Sequence, residues 1–318
     1  MSGIAVAGGI LVTGGGGFIG AALLRHLQAA GKGPLYAIDR RAAALPEGIS
    51  FRQLDIRDGQ GLRDALLQWR PEAVVHLASV VAAGGDPDLD RAIDVGGTEN
   101  VLQACLAAGV KRLIVTSSGA AYGYHADNPQ PLRERDALRG NAEFPYSDNK
   151  RRVEEMLARW RTEHPDLQQI VFRPCTVLGP GVDNQITAIF KRPLITGLAG
   201  SATPFSFVSE ADVVAALARA ADGSGPAGIY NLAGDGTLSL RQIARRIGKP
   251  YLPIPPAVMK AALWLANALG LTKLGPDQVR FLQFRPVLDN ARLKTEFGYR
   301  PQHDSAAAFE RYWRGAAR

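Results

Sequence analysis

The stretch Ile10 to Gly20 reads I-L-V-T-G-G-G-G-F-I-G, and it leaves few folds open. An apolar run of strand type passes through a glycine cluster into an amphipathic helix that starts at Phe18. A turn of this kind can bring a pyrophosphate against bare backbone and the positive end of a helix dipole. Gly14 lets the chain turn sharply, Gly17 leaves room for phosphate oxygens, and Gly20 lets the helix pack close to its strand. Nineteen residues past Gly20, Asp39 closes a second apolar run, Leu35 to Ile38. That is where a dinucleotide-binding unit wants a carboxylate for the ribose hydroxyls. A phosphate-loop NTPase is excluded, because no Gly-Lys-Ser or Gly-Lys-Thr follows the glycines.

Farther along, strand-like and helix-like segments alternate, which predicts an α/β fold with a parallel sheet. Phe51 to Leu54 is a short strand, followed by Asp55-Ile56-Arg57-Asp58. Asp55 and Ile56 are placed to hold an adenine, and Asp58 to cap the helix Gly61 to Trp69. Ala73 to Leu77 is a buried-strand run. His76 within it reads as a satisfied core or edge histidine, since no carboxylate is placed in sequence to pair with it. Asp90 to Gly109 reads as one long helix closed by glycine, and Arg112 to Thr116 as the next strand. A long loop, Gly119 to Pro145, precedes a helix from Tyr146 to about Glu163, and Gln168 to Arg173 is a further strand. After Pro174 the pattern changes. The segment from Thr176 to Thr203 has no clear period and reads as a substrate cover. Glu210 to Ala221 is an amphipathic helix, Gly228 to Leu232 a last strand, and the rest short helices separated by prolines.

Composition narrows the partners. The C-terminal 78 residues from Arg241 carry 14 Lys plus Arg against 5 acids, while the remainder carries 23 against 25. These cations are spread among apolar helices, so a solvated face near an anionic small ligand is expected rather than a nucleic-acid stripe. Ala261 to Leu271, the longest apolar stretch, is too short to span a bilayer and reads as a core or interface helix. No membrane partner is expected. The two cysteines, Cys105 and Cys175, read as reduced core residues of a cytoplasmic protein. The opening residues show no basic region or cleavage site of a secretory signal. No metal site is expected.

Chemistry gathers at the carboxyl tips of such a sheet. Thr116-Ser117-Ser118 puts three hydroxyls there, and Tyr146 and Lys150 share one helical face at i and i+4. A tyrosine of ordinary pKa, about 10, must have its proton affinity lowered by about 4 kcal/mol to act as a base near neutrality. A lysine ammonium one turn away and a cationic nicotinamide ring can supply that. Tyr146 would then take a hydroxyl proton while the substrate carbon gives up hydride. Ser118 would hold the same oxygen, and Lys150 would also bond the nicotinamide ribose.

These residues resemble the NAD-dependent epimerase/dehydratase group of extended short-chain dehydrogenases/reductases over nearly the whole chain. Thr13 to Gly20 matches T-G-x-x-G-x-x-G, Thr116 to Gly123 the serine strand, and Tyr146 with Lys150 the Y-x-x-x-K pair. His76 to Ser79, Gly97-Thr98, Arg173-Pro174, Gly179-Pro180 and Phe207 to Val213 also resemble residues of the group. The resemblance implies a Rossmann doubly wound parallel sheet of about seven strands with a small, mostly helical C-terminal lobe. It divides the chain into a dinucleotide-binding domain, 1–174 completed by about 207–232, and a substrate lobe, 175–206 and 233–318. Cofactor contacts are implied for Phe18, Ile19, Arg40, Leu77, Ala78, Ser79, Asp94, Thr116 and Arg173, besides the glycines, Asp39, Asp55, Ile56, Tyr146 and Lys150. A homodimer is implied through helices near 95–108 and 147–162.

Departures from the group bear on the substrate. Asp94 stands where asparagine is usual. Gly119 and Ala120 stand where sugar dehydratases carry Asp and Glu, which argues against elimination of water. Arg285 is the nearest candidate for gripping a diphosphate. Asp39 favours NAD over NADP, although Arg40 and Arg41 beside it could accept a 2′-phosphate. The expected activity is oxidation of a sugar hydroxyl, that of a nucleotide sugar included, with return of the hydride to the other face. The alternatives are a dehydrogenase of a small or lipophilic alcohol or ketone, and a dinucleotide-sensing protein without chemistry.

Overall fold

The computed structural model describes residues 8–81, 85–202, 204–272 and 275–316. The opening residues 1–7, on which the expectation of no secretory signal rests in part, lie outside them. Seven strands form the main sheet: β1 (Ile10–Thr13), β2 (Leu35–Asp39), β3 (Ile49–Gln53), β4 (Ala73–His76), β5 (Arg112–Thr116), β6 (Gln168–Pro174) and β7 (Gly228–Leu232). Their order is β7-β6-β5-β4-β1-β2-β3, and every neighbouring pair is parallel. The order reverses between β1 and β4, which opens a crevice at the carboxyl ends of those two strands.

Both faces of the sheet are covered, so its strands are nearly continuous apolar runs whose alternate residues enter different cores. Ile10, Val12, Ala73, Val75 and Ile114 face one core with α1 (Phe18–Ala29) and α5 (Glu210–Ala221). Leu11, Val74, Leu113 and Val115 face the other. There they meet α2 (Gly59–Trp69), α3 (Gly97–Ala108) and α4 (Pro145–Glu163). Gly109 closes α3 with φ +69°, as its position in the sequence suggests.

Three readings change. The long helix expected over Asp90 to Gly109 is interrupted by a π-turn at Ala92–Gly96, between a short helix, Pro87–Arg91, and α3. The π-turn contains Asp94, whose side chain bonds Ser79 and Val80, and one extra residue per turn leaves no periodic trace. The segment after Pro174 is more than a cover. Thr176–Leu178 pairs in parallel with Phe207–Ser209, and Ile195–Leu198 with Tyr251–Ile254. Leu178, Phe190, Ile195, Phe205, Phe207, Phe309 and Tyr312 form a third buried core there, with α6 (Leu240–Arg246) and α9 (Ser305–Ala316) around it. Strands of three or four residues are too short to show a period, which is why this core is hard to read from sequence. Finally, of the core and interface readings of the apolar stretch only the second remains, because α7 (Pro256–Ala268), which contains most of it, has no buried residue. A short α8 (Gln278–Gln283) follows it.

Candidate active site

The glycine turn after β1 is built for close approach. Gly14 has φ +70°, and a Cβ on it would stand 2.8 Å from the Ala78 backbone nitrogen. A Cβ on Gly20 would stand 2.2 Å from the Gly14 carbonyl oxygen, so α1 can lie against the turn only with hydrogen at that position. Gly17 caps α1 with no side chain on the free N–H groups, and the first turn carries no acid. The helix therefore presents bare donors and its positive end outward, which fits an anionic pyrophosphate. Phe18 is exposed beside them, and Ile19 is half-buried against the core.

Beside the turn lies a cleft of about 500 Å³ lined by Gly16, Gly17, Asp39, Arg40, Arg41 and Ser79, among others. The Asp39 carboxylate accepts from the Gly16 backbone N–H at 3.0 Å and from that of Arg41 at 3.1 Å. It is thereby fixed at the tip of β2, with lone pairs left for a ribose. Leu77, Ala78 and Ser79 follow β4, and the Leu77 N–H donates to the Thr13 carbonyl. Asp55 is turned to Arg57, 2.7 Å away, and that hydrogen bond holds its carboxyl below the usual range. The Ile56 side chain is buried against Gly97, so only its backbone remains to face an adenine.

The catalytic candidates meet at the tip of β5. Pro145 starts α4, as a residue with no N–H to lose suits a first helical position, and the Ser147 hydroxyl ties that end to the Ala120 carbonyl at 2.7 Å. One turn along, the Lys150 Nζ donates to the Thr116 carbonyl at 3.3 Å and lies 5.7 Å from the centre of the Tyr146 ring. The Ser118 hydroxyl accepts from the Ala120 N–H at 3.1 Å and stands close enough to Tyr146 to favour its phenolate. Ser118, Tyr146 and Lys150 are thus together. Burial pushes the Tyr146 phenol up to about 12, against the lowering effect of Ser118 and with the Asp94 charge adding to the rise. The neighbouring lysine alone therefore does not deliver the low phenol pKa expected from the sequence. Lys150 is itself lowered by burial, while Asp94 and Glu154 favour its charged form.

Asp94 sits in the π-turn with 2% of its surface exposed. Its Oδ1 accepts from the Ser79 hydroxyl at 2.8 Å and the Val80 N–H at 3.0 Å, and its Oδ2 has no partner. His76 is buried next to this group. Its Nδ1 meets the Thr13 hydroxyl at 2.7 Å and its Nε2 the Thr98 hydroxyl at 3.1 Å, the satisfied core histidine expected. Burial, and then the Lys150 charge, lower it to about 3.

Arg173, expected at the cofactor, has its guanidinium engaged inside the protein. It is buried in a two-pronged pair with Glu154, at 2.8 Å from Nε and 2.6 Å from Nη2. Its Nη1 donates to the Tyr122 hydroxyl and the Glu134 carbonyl. Burial alone would lower its pKa, but the bonds and charge of Glu154 outweigh this and raise it. Glu154 stands four residues past Lys150 on the same helix, a spacing that puts both on one face. It also accepts from the Ser117 hydroxyl at 2.6 Å.

Arg285 is buried in the C-terminal region with its guanidinium 4.1 Å from the Phe205 ring centre and 4.9 Å from that of Phe281. Its Nη2 donates to the Thr176 hydroxyl at 3.1 Å, and its Nη1 has no partner. Tyr124 stacks near Phe281 and Phe144. Burial pushes its phenol up to about 12, with the Arg285 charge working against the rise and that of Tyr146 adding to it. Sequence reasoning missed Tyr124 and Phe281, which belong to no motif. Among the described residues, no cluster of three or more His, Cys, Asp or Glu could hold a metal, and no helix is long and apolar enough to cross a membrane.

Comparisons with known proteins bear on the family and the fold. A UDP-glucose 4-epimerase of Mycolicibacterium smegmatis is 29% identical over 319 residues, covering 92% of this chain and 93% of that one. An uncharacterized protein of Mycobacterium tuberculosis is 29% identical over 248 residues, covering 77% of this chain and 65% of its own, so the chain spans less than two thirds of that relative. The UDP-glucose 4-epimerase of Thermus thermophilus, solved in complex with NAD, superposes with a TM-score of 0.73 at 26% identity, covering 95% of this chain and 96% of that one. The fold is also that of the Thermotoga maritima UDP-glucose 4-epimerase solved with UDP-glucose, with a TM-score of 0.75, 23% identity, and 98% and 100% of the two chains covered. The family profile described as NAD dependent epimerase/dehydratase matches residues 10–233, and the chain belongs to that family.

Proposed function

We propose that the protein is a cytoplasmic nucleotide-sugar epimerase that works with NAD through Ser118, Tyr146 and Lys150. In this reading residues 1–174, completed by 207–232, hold the dinucleotide, and residues 175–206 and 233–318 hold the sugar nucleotide. The glycine turn and the N-terminus of α1 take the pyrophosphate, and Asp39 takes the adenosine ribose, where its charge disfavours the 2′-phosphate of NADP. Lys150 holds the nicotinamide ribose. Bound NAD supplies hydride acceptance and return. Tyr146 removes the proton of the sugar hydroxyl being oxidised and gives it back when the carbonyl is reduced on its other face. Ser118 holds the same oxygen as its charge changes. Burial keeps the proton on Tyr146, and the Lys150 ammonium, 5.7 Å from the centre of its ring, is a positive charge of the kind that favours a phenolate. A second copy docked along α3 and α4, where Leu106 is exposed, belongs to the same proposal.

The observation that carries the sugar-nucleotide reading is the unpartnered Nη1 of buried Arg285, a cation held between the Phe205 and Phe281 rings and bonded to the Thr176 hydroxyl. A buried guanidinium with a free donor is costly unless an anion completes it, and a diphosphate does so. The test is interconversion of UDP-glucose and UDP-galactose by the purified protein, followed by proton NMR. Wild type should interconvert them with no net build-up of reduced nicotinamide. Loss of one charge-assisted bond of about 1.5–3 kcal/mol predicts a KM at least roughly tenfold higher in Arg285→Met, with NAD affinity unchanged. No interconversion of any sugar nucleotide, or an unchanged KM, would refute the reading. Net accumulation of NADH with an alcohol would favour a dehydrogenase instead.

A further inference from the structure

The outer face of α7 is the surface feature that catalysis leaves unexplained. Pro256, Met259, Leu263 and Ala266 are half-buried at helical spacing and make the inner face. The outer face and the turn after it are apolar as well. Val258 is 56% exposed, Trp264 64%, Leu265 53%, Leu269 63% and Leu271 77%. Lys260 is the helix's only charged residue. Trp264 is the sole exposed tryptophan of the four in the chain. A contiguous apolar face of this kind marks a surface that docks on something.

Charge indicates what that is. From residue 236 to residue 276 the chain has six Lys and Arg and no Asp or Glu. Arg241, Arg245 and Lys249 line one open depression with Tyr251, at the head of the short strand that leads into α7. A second copy meeting this surface about a two-fold axis would set these cations against themselves. An anionic bilayer surface complements both parts, because its headgroups attract the cations and its acyl boundary takes Trp and Leu side chains. We propose that α7 and the cations before it form an in-plane docking element for an anionic lipid surface. At 13 residues the helix is too short to span, so it lies in the interface. This departs from the expectation of no membrane partner. α7 packs against α8, which carries the Phe281 that stacks on Arg285, so the docking element lies one helix away from that guanidinium.

The test is flotation of the full chain with vesicles of phosphatidylcholine alone or mixed with phosphatidylglycerol, with tryptophan emission as a second readout. Wild type should bind mixed vesicles at least roughly tenfold more tightly than neutral ones, lose binding as salt is raised, and shift its emission to the blue. The pairs Trp264→Ser/Leu269→Ser and Arg241→Glu/Arg245→Glu should each weaken binding at least roughly tenfold, with unchanged circular dichroism. No binding to mixed vesicles, or binding indifferent to both pairs, would overturn the proposal. So would concentration-dependent self-association without vesicle binding that Trp264→Ser/Leu269→Ser abolishes, since a second copy would then be the occupant.

Discussion

Lowering the pH below about 6.5 should destabilise this fold through His76. The imidazole is 3% exposed and held between the Thr13 and Thr98 hydroxyls, and burial with the Lys150 charge lowers it from 6.5 to about 3. The unfolded chain binds the proton near 6.5, so stability is complete above that value and falls as the pH drops toward 3. Each pH step of one is worth about 1.4 kcal/mol, so the loss at pH 5 is about 2 kcal/mol. That is a sizeable part of a typical total of about 5–15 kcal/mol. Urea unfolding of wild type and His76→Gln isolates the effect, because every other titrating group is shared. The variant starts less stable, having lost part of the hydroxyl bonding. The gap between the two should narrow by about 2 kcal/mol from about pH 7.5 to about pH 5. A gap that stays constant would show that His76 takes up its proton in the native protein, and the reasoning about its burial would fail.

Two further expectations concern the charges behind the site. Glu154→Ala leaves Arg173 buried without its partner and should cost about 3–5 kcal/mol in urea unfolding, whereas Glu154→Leu with Arg173→Met should cost less than the single change. A loss under about 1 kcal/mol would contradict this. Asp94→Asn keeps an oxygen for Ser79 and Val80 but removes the charge that raises Tyr146. The rise of kcat/KM with pH should therefore move to lower pH in the variant, and a move to higher pH would contradict the assignment.

Local signals carried most of the fold. The strands Arg112–Thr116 and Gly228–Leu232 and the helix Glu210–Ala221 stand where the apolar runs put them, because buried parallel strands and amphipathic helices write their burial into adjacent residues. Gly14, Gly20, Ser118, Tyr146 and Lys150 were legible for a related reason, since each is fixed by a short spacing on one element. What escaped depends on contacts between distant elements. Arg173 looks like a cofactor ligand in its motif, but Glu154 and Tyr122 turn it inward. The π-turn at Asp94 is held by Ser79 and Val80, 15 and 14 residues earlier. The third core is assembled from pieces too short to show a period, with Leu178 and Tyr312 at its two ends in sequence. In α7 an apolar pattern suggests burial, which hydrophobicity alone cannot establish.

The most direct trial of the proposed chemistry is a single turnover of the NAD-loaded protein mixed with a sugar nucleotide, followed by nicotinamide absorbance, for wild type and Tyr146→Phe. The change deletes one hydroxyl beside Ser118 and leaves the cleft at Asp39 and the Lys150 ammonium in place. Removal of a general acid–base group predicts a fall of about 10²–10⁴-fold in the rate of reduction, with NAD affinity unchanged. Reduction by Tyr146→Phe at the wild-type rate would take that phenol out of the reaction, and the account built on it would not stand.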